Sequence, residues 1–175
     1  MITTIAFIAA VAVVLLLLFA ATRPGTFAVQ RSTRIHAAPE RLFGMINDMH
    51  QFNNWNPYNK KDPAMQGSYR GPAAGPGAAF DFSGNKNAGT GSLEIVESEP
   101  RKVTMRLDMK KPLEGHNMVE FRLVRHGNET EVTWAMHGAS PFIAKLAGIF
   151  MNMDHMIGRD FEAGLASLKA QAERA

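Results

Sequence analysis

The sequence predicts an α+β fold in which a curved, seven-stranded antiparallel sheet wraps around a long C-terminal helix, with one apolar helix at the N-terminus. Three observations lead to this prediction. An apolar run opens the chain, alternating apolar and polar residues fill its middle, and apolar residues at helical spacing fill its end. The chain has 175 residues, which fits one domain plus an appendage. It contains no cysteine, which excludes disulfides, thiol nucleophiles and cysteine-bound metals.

The first segment has the composition of a membrane span. Residues 5–21 carry no polar side chain. The whole apolar stretch of about 20 residues would reach roughly 30 Å as a helix, the thickness of bilayer hydrocarbon. No Lys or Arg precedes it, and bulky residues around Leu18 and Phe19 spoil most frames for signal cleavage. We therefore predict an uncleaved transmembrane anchor at residues 1–22, with a cleaved signal peptide as the alternative.

Basic residues predict the side of the membrane on which the domain lies. Arg23, Arg31, Arg34 and Arg41 follow the anchor, whereas only the terminal amine precedes it. The positive-inside rule then predicts a single-pass protein with a cytoplasmic domain. Long folded segments can cross despite such charges, so a periplasmic domain is the alternative. The linker, residues 23–26, is short enough to hold the domain against the bilayer.

A strand and two short helices are expected after the linker. Apolar residues at alternating positions predict a strand over residues 27–36. Pro39 suits the first position of a helix, because its missing N–H would have no partner there. Asp48 can cap a second short helix that ends before Pro57.

Six further strands, separated by Gly, Pro and Asn turns, complete the predicted sheet. In residues 102–110, for example, Val103, Met105 and Leu107 alternate with polar residues, which predicts one apolar face. The strands are expected at residues 65–71, 78–83, 91–98, 102–110, 117–125 and 129–137.

The last segment predicts a long amphipathic helix that Ser140 caps and Pro141 begins, and that continues to about Ala172. A straight helix of that length would measure about 48 Å. The domain should be only about 38 Å across. We therefore expect a kink or break between Asn152 and Gly158.

Several stretches resemble the SRPBCC superfamily, the START-like, helix-grip group, and within it the bacterial polyketide cyclase/dehydrase and lipid-transport-like proteins. The resemblance covers residues 27–172. It implies a helix-grip fold for residues 27–175 and a cavity between sheet and C-terminal helix that accepts an apolar ligand. The stretches that carry it are residues 31–43, 46–48, 55–57, 69–72, 132–134, 160–162, 164–165 and 168–169.

Aromatic and methionine side chains supply most candidates for the cavity lining. The chain has 11 methionines, whose unbranched thioethers adapt to irregular guests. Ordinary core packing is the alternative for each candidate. The predicted lining comprises Trp55, Tyr69, Phe80, Phe82, Met105, Leu107, Phe121, Trp134, Met136, Met153, Met156, Ile157 and Asp160, with Tyr58 as a further aromatic candidate.

Asp160 is the one charged candidate, because the helical wheel places it near the apolar stripe. A carboxylate there needs a partner. It would either anchor a polar ligand group or bond to a neighbouring strand, with Arg106 as partner only if that strand is bulged. The six histidines show no metal-ligand spacing. No catalytic residue is identified, and no metal or cofactor is expected.

Two functions of different class follow from these observations. The favoured one is a membrane-anchored module that holds a lipid or another hydrophobic small molecule. The alternative is an enzyme of polyketide cyclase or dehydratase type acting in the same cavity. A blander third possibility, a domain that only contacts other proteins, predicts a cavity too small for a ligand. Nucleic acid is not expected as a partner, because Lys60-Lys61 and Lys110-Lys111 are short pairs typical of solvated surface.

Overall fold

The computed structural model describes residues 1–174, and these residues form six helices and seven strands. Most elements lie within a residue or two of the predicted bounds. In chain order they are α1 (Ile2–Thr22), β1 (Thr26–Ile35), α2 (Pro39–Asn47), α3 (Met49–Trp55), α4 (Tyr58–Lys61), β2 (Gln66–Arg70), β3 (Ala79–Ser83), β4 (Thr90–Glu99), β5 (Lys102–Lys111), β6 (Gly115–His126), β7 (Glu129–Ala139), α5 (Phe142–Phe150) and α6 (Met153–Ala172).

The strands form one antiparallel sheet in the order β1-β7-β6-β5-β4-β3-β2. Strands β2 to β7 follow one another as neighbours, and β1 closes the sheet against β7. The pairing of β4 with β5 shifts register at Thr90/Gly91 and again between Ile95 and Glu97. Such bulges bend a strand and increase its twist. The predicted seven-stranded, curved sheet around a C-terminal helix is therefore confirmed.

Helix α6 packs across the sheet and is fixed to the first strand by an arginine. The Arg31 Nη2 atom lies 3.0 Å from Asp154 Oδ2, and Arg31 Nε lies 2.8 Å from Glu162 Oε1. The guanidinium passes over Gly158, where any side chain would collide with it. The hydrogen bond from Arg31 lowers the pKa of Asp154. Arg31 thus holds the first half of α6 over the inner face of the sheet.

The predicted single C-terminal helix is two helices. The break lies at Met151 and Asn152, and Asn152 is the first residue of the interval in which a kink or break was expected. Asn152 causes it, because its backbone is extended and its Oδ1 accepts a hydrogen bond from the His155 amide at 2.9 Å. The first of the two helices begins at Phe142, one residue later than the predicted start.

Helix α1 is long and apolar enough to cross a membrane, with a mean hydropathy of 2.9 in its most apolar window. A membrane anchor and a signal sequence both have these properties. Ala20 is its only buried residue, and the helix packs against α5.

Gly164 is expected to tolerate no larger residue, because a Cβ there would lie 2.5 Å from Trp134 Cζ3 and 2.9 Å from Pro57 Cδ. Both neighbours are rigid. Gly164→Ala should therefore destabilise the fold by about 1–3 kcal/mol, although alanine favours a helix by about 1 kcal/mol over glycine.

Gly44, inside α2 with nothing within 4 Å of its would-be Cβ, is the matched control. Gly44→Ala should raise the urea midpoint, whereas Gly164→Ala should lower it. Equal midpoints for the two variants would contradict the close contact of α6 with Trp134.

Candidate functional site

A cavity of about 630 Å³ lies between the inner face of the sheet and the first half of α6. Its volume falls within the range of roughly 300–1,000 Å³ typical of small-molecule sites. Most of its wall is apolar. The wall comprises Phe52, Asn56, Tyr58, Asn59, Lys61, Met65, Phe80, Phe82, Lys86, Asn87, Ala88, Gly89, Leu93, Leu107, Met109, Pro112, Asn117, Val119, Trp134, Met136, Met153, Met156, Ile157, Asp160 and Phe161.

The cavity occupies one end of the sheet. On β5, Leu107 and Met109 line it, whereas Met105, two residues further from that end, is fully buried in the core. On β6, Val119 lines it and Phe121 does not. The void therefore lies where β5 and β7 end and β6 begins.

Large aromatic side chains separate the cavity from the solid core. Trp134 stacks on Phe161 with ring centroids 4.3 Å apart and planes 11° apart. Phe52 and Phe121 pack edge-on or tilted against the same tryptophan, at 6.5 Å and 5.0 Å. All four rings are almost fully buried. Phe52, Trp134 and Phe161 form the inner end of the cavity, with Phe121 packed behind them in the core, and the other end of the cavity is open.

Nine of the 13 predicted lining residues are on the cavity wall: Phe80, Phe82, Leu107, Trp134, Met136, Met153, Met156, Ile157 and Asp160. The other four are not. Trp55, Met105 and Phe121 have 0% exposure and belong to the packed core. Tyr69 lies on the edge strand β2, where its ring stacks on His50 at 3.8 Å and its hydroxyl accepts a hydrogen bond from Asn53 Nδ2.

One corner of the wall is charged. Lys61 Nζ lies 2.6 Å from Asp160 Oδ2, and the two side chains are 32% and 19% exposed. Arg106 is not the partner of Asp160: it faces the outer side of the sheet, where it pairs with Glu94 at 2.8 Å and Asp108 at 3.1 Å. Side chains alternate between the two faces of a strand, and the neighbours of Arg106 on β5 point inward, so Arg106 points outward.

Tyr58 was expected as an aromatic candidate for the lining, whereas Asn59 and Lys61 were missed as site residues, Lys61 because a Lys-Lys pair is typical of solvated surface. The sequence does contain a signal that could have identified Lys61, which is its spacing from Tyr58. Tyr58 and Lys61 are three residues apart directly after Pro57, which places them on one face of a helical turn. Lys61 Nζ lies 5.0 Å from the centre of the Tyr58 ring.

Two further residues of the cavity wall have buried polar atoms. The Asn59 Nδ2 group donates to the Asn53 carbonyl at 2.8 Å, while Asn59 Oδ1 is buried without a partner in the described structure. The Trp134 Nε1 donor is likewise buried and unpartnered among residues 1–174. Within those residues, no group of three or more His, Asp or Glu is placed to hold a metal ion.

Tyr58 is expected to stay protonated well above pH 10. Burial of its phenol, and next the negative charge of Asp160 with a hydrogen bond to it, raise the pKa of Tyr58 above the ordinary 10.0. Because the folded state keeps the proton that the unfolded state loses, Tyr58 should make folding less favourable as pH rises above its ordinary pKa.

The chain has two tyrosines, so a Tyr69→Phe variant isolates Tyr58 for titration. Tyrosinate absorbance should not develop until the pH is well above 10.0, and it should then coincide with unfolding. Reversible ionisation of a folded protein with a midpoint near 10 would contradict the buried position of the phenol.

The sequence profile of the family described as polyketide cyclase/dehydrase and lipid transport matches residues 26–173. No curated protein matches the chain in sequence.

Solved structures share the fold at low sequence identity. A protein from Chromobacterium violaceum is 15% identical, with a TM-score of 0.61 over 87% of this chain and 100% of its own. The di-domain ARO/CYC BexL from the BE-7585A biosynthetic pathway is 14% identical, with a TM-score of 0.64 over 90% of this chain and 53% of its own. A ginseng (Panax ginseng) major latex-like protein is 12% identical, with a TM-score of 0.59 over 86% of this chain and 99% of its own.

Proposed function

Because the chain belongs to the polyketide cyclase/dehydrase and lipid transport family, we propose that it is a membrane-anchored module that holds a lipid or another apolar small molecule. The observation that carries this proposal is the cavity of about 630 Å³, whose wall is mostly apolar and whose outer end is open. An apolar guest in that space would lose its contact with water, which stabilises it by about 25 cal/mol per Å² of buried apolar surface.

The proposed division of the chain follows the same logic. Residues 1–22 serve as a transmembrane anchor, residues 23–26 as a linker and residues 27–175 as the ligand-binding domain. The basic residues after the anchor favour a cytoplasmic domain, with a periplasmic domain as the alternative. In either case the ligand exchanges between the cavity and the adjacent lipid leaflet.

The charged corner gives the ligand an orientation. An apolar part would pack against Trp134 and Phe161 at the inner end of the cavity. A polar group would meet Tyr58, Lys61 and Asp160, together with the unpartnered Oδ1 atom of Asn59. The proposed ligand is therefore an amphiphile that carries one compact polar group on a largely apolar body.

A second function has one specific observation in its favour. Tyr58, Lys61 and Asp160 converge on the cavity, and an enzyme of cyclase or dehydratase type needs such acid and base groups beside its substrate. Under that hypothesis, Asp160→Asn would still bind substrate but would no longer turn it over. A variant with unaltered turnover would exclude a catalytic role for the carboxylate.

Binding of a fluorescent fatty acid tests the favoured function. The full chain is placed in lipid nanodiscs and titrated with dansyl-undecanoic acid, while energy transfer from tryptophan to the dansyl group is measured. Trp134 lies on the cavity wall and its ring centre is 5.7 Å from that of Trp55, so both donors report on a bound probe. Transfer should saturate, and excess oleate should reverse it. Transfer that rises linearly with probe and resists oleate would contradict the proposal.

A further inference from the structure

The open end of the cavity lies at the same end of the sheet as the start of β1. Thr26 pairs with Ala139 of β7, and Gly138 of β7 pairs with Asn117 of β6. Next along the sheet, Met109 of β5 pairs with Gly115 of β6, and Thr90 of β4 pairs with Lys111. Helix α1 ends four residues before Thr26. The cavity therefore opens at the end of the sheet from which α1 leaves the domain.

Helix α5 lies at this end of the sheet and has an apolar face exposed to its surroundings. It follows β7 directly, and none of its residues is buried. At 100° per residue, Phe142, Leu146, Phe150 and Ile143 lie within about 100° of arc. Three of them are large exposed side chains: Phe142 at 45%, Ile143 at 65% and Phe150 at 75%.

The turn between β5 and β6, at the same end of the sheet, also presents an apolar side chain to its surroundings, with Leu113 56% exposed. Met151 and Met156, between α5 and the cavity, are 48% and 45% exposed. Met156 also lines the cavity, as does Pro112 beside Leu113. The exposed apolar surface therefore continues into the cavity wall.

The contact between α1 and α5 indicates how far the apolar face of α5 lies from the end of α1. The two helices pack against each other, and Leu16 and Ala20, which share one face, are the only positions of α1 that are not exposed. Leu16 lies six residues from the end of α1 at Thr22, which corresponds to about 9 Å along the helix axis. Interfacial amphipathic helices bury their apolar faces roughly 5–10 Å into the boundary between headgroups and acyl chains.

Basic residues border the apolar surface. Lys86 is exposed in the β3–β4 turn, Lys111 is exposed at the end of β5, Lys145 lies on α5, and Arg23 follows α1. None of these four forms an ion pair within residues 1–174, and Glu114 is the only acidic residue of the β5–β6 turn. Basic side chains close to a bilayer favour anionic lipids.

We propose that α5 and the β5–β6 turn form a second membrane contact, which lies in the headgroup region of an anionic leaflet and places the cavity mouth on it. This inference rests on the proposed function in one respect, since it takes α1 as a membrane span. A ligand could then pass from the leaflet into the cavity along Met156 without crossing water.

Site-specific labelling can test this contact, because the chain contains no cysteine. Single-cysteine variants of the full chain, Ile143→Cys and Leu113→Cys, are labelled with the fluorophore NBD. The protein is reconstituted in vesicles of phosphatidylcholine and phosphatidylglycerol that carry nitroxide-labelled acyl chains. Asn128→Cys, exposed in the β6–β7 turn at the opposite end of the sheet, is the matched control. Val13→Cys reports on α1 itself.

Labels at Ile143 and Leu113 should be quenched by the lipid nitroxide about threefold or more above the label at Asn128, as expected for a helix embedded in the interface. The excess should shrink in vesicles of phosphatidylcholine alone. If the Val13 label is quenched while the other two match Asn128, the anchor stands and the second contact is excluded. If the Val13 label is not quenched, the anchor fails and the second contact fails with it. Equal quenching with and without phosphatidylglycerol would exclude the preference for anionic lipid.

Discussion

Replacing Leu107 by tryptophan is expected to weaken binding of the fluorescent fatty acid strongly without unfolding the protein. Leu107 packs against the edge of the core but borders the cavity on β5, so a larger side chain there has the void to extend into. If the indole displaces about 100 Å² of ligand contact, the loss is about 2.5 kcal/mol, or roughly 70-fold in Kd. Dansyl emission from the full chain in nanodiscs, corrected for empty nanodiscs, measures this loss.

Val124→Trp provides the matched control. Val124 lies on β6, is 51% exposed and faces away from the cavity. The same substitution there should leave the Kd of the probe unchanged. If Leu107→Trp binds the probe as tightly as Val124→Trp does, the probe occupies some other site and the cavity is not the ligand site.

Phe161→Ala should destabilise the fold by about 3–5 kcal/mol, the range typical for truncation of a buried aromatic residue. Phe161 is 1% exposed and stacks on Trp134, so its loss removes the main aromatic contact between α6 and the sheet. The midpoint of urea unfolding, followed by tryptophan emission, measures the effect.

The same substitution at Phe150 is the control, because that ring is 75% exposed on α5. Its cost should stay within about 0.5 kcal/mol, as for most surface positions. Similar midpoints for the two variants would show that α6 is not held to the sheet through Phe161.

Alternation along a strand predicts which face a residue occupies, but not its depth along that face. Met105 and Leu107 both point inward from β5, as the sequence pattern requires. Only the strand register and the aromatic group around Trp134 determine that Met105 fills the core while Leu107 borders the void. Residues on one predicted face were therefore all expected to line the cavity, although the cavity occupies only one end of that face.

The charged corner depends on a contact across almost a hundred residues. Lys61 and Asp160 come together because α4 packs near the first half of α6. No local pattern reports such a distance, whereas the position of Asp160 near the apolar stripe of its own helix was visible in the sequence. The sequence thus predicted the need for a partner but not its identity.

The break in the C-terminal helix was likewise predictable only in part. Length alone predicts that a single helix would exceed the domain diameter, so some break was required. Its exact position depends on Asn152, whose side chain caps α6. Asparagine is a favoured N-cap residue, so this boundary was readable from the sequence.

The central claim is that an apolar ligand occupies the space between the sheet and α6. Photocrosslinking tests it most directly: the full chain in nanodiscs is irradiated with a fatty acid that carries a diazirine near its methyl end, and the adducts are located by mass spectrometry. The account predicts adducts at cavity residues such as Leu107, Met136 and Ile157, suppressed by excess oleate. Adducts confined to α1 and α5, unaffected by oleate, would contradict it.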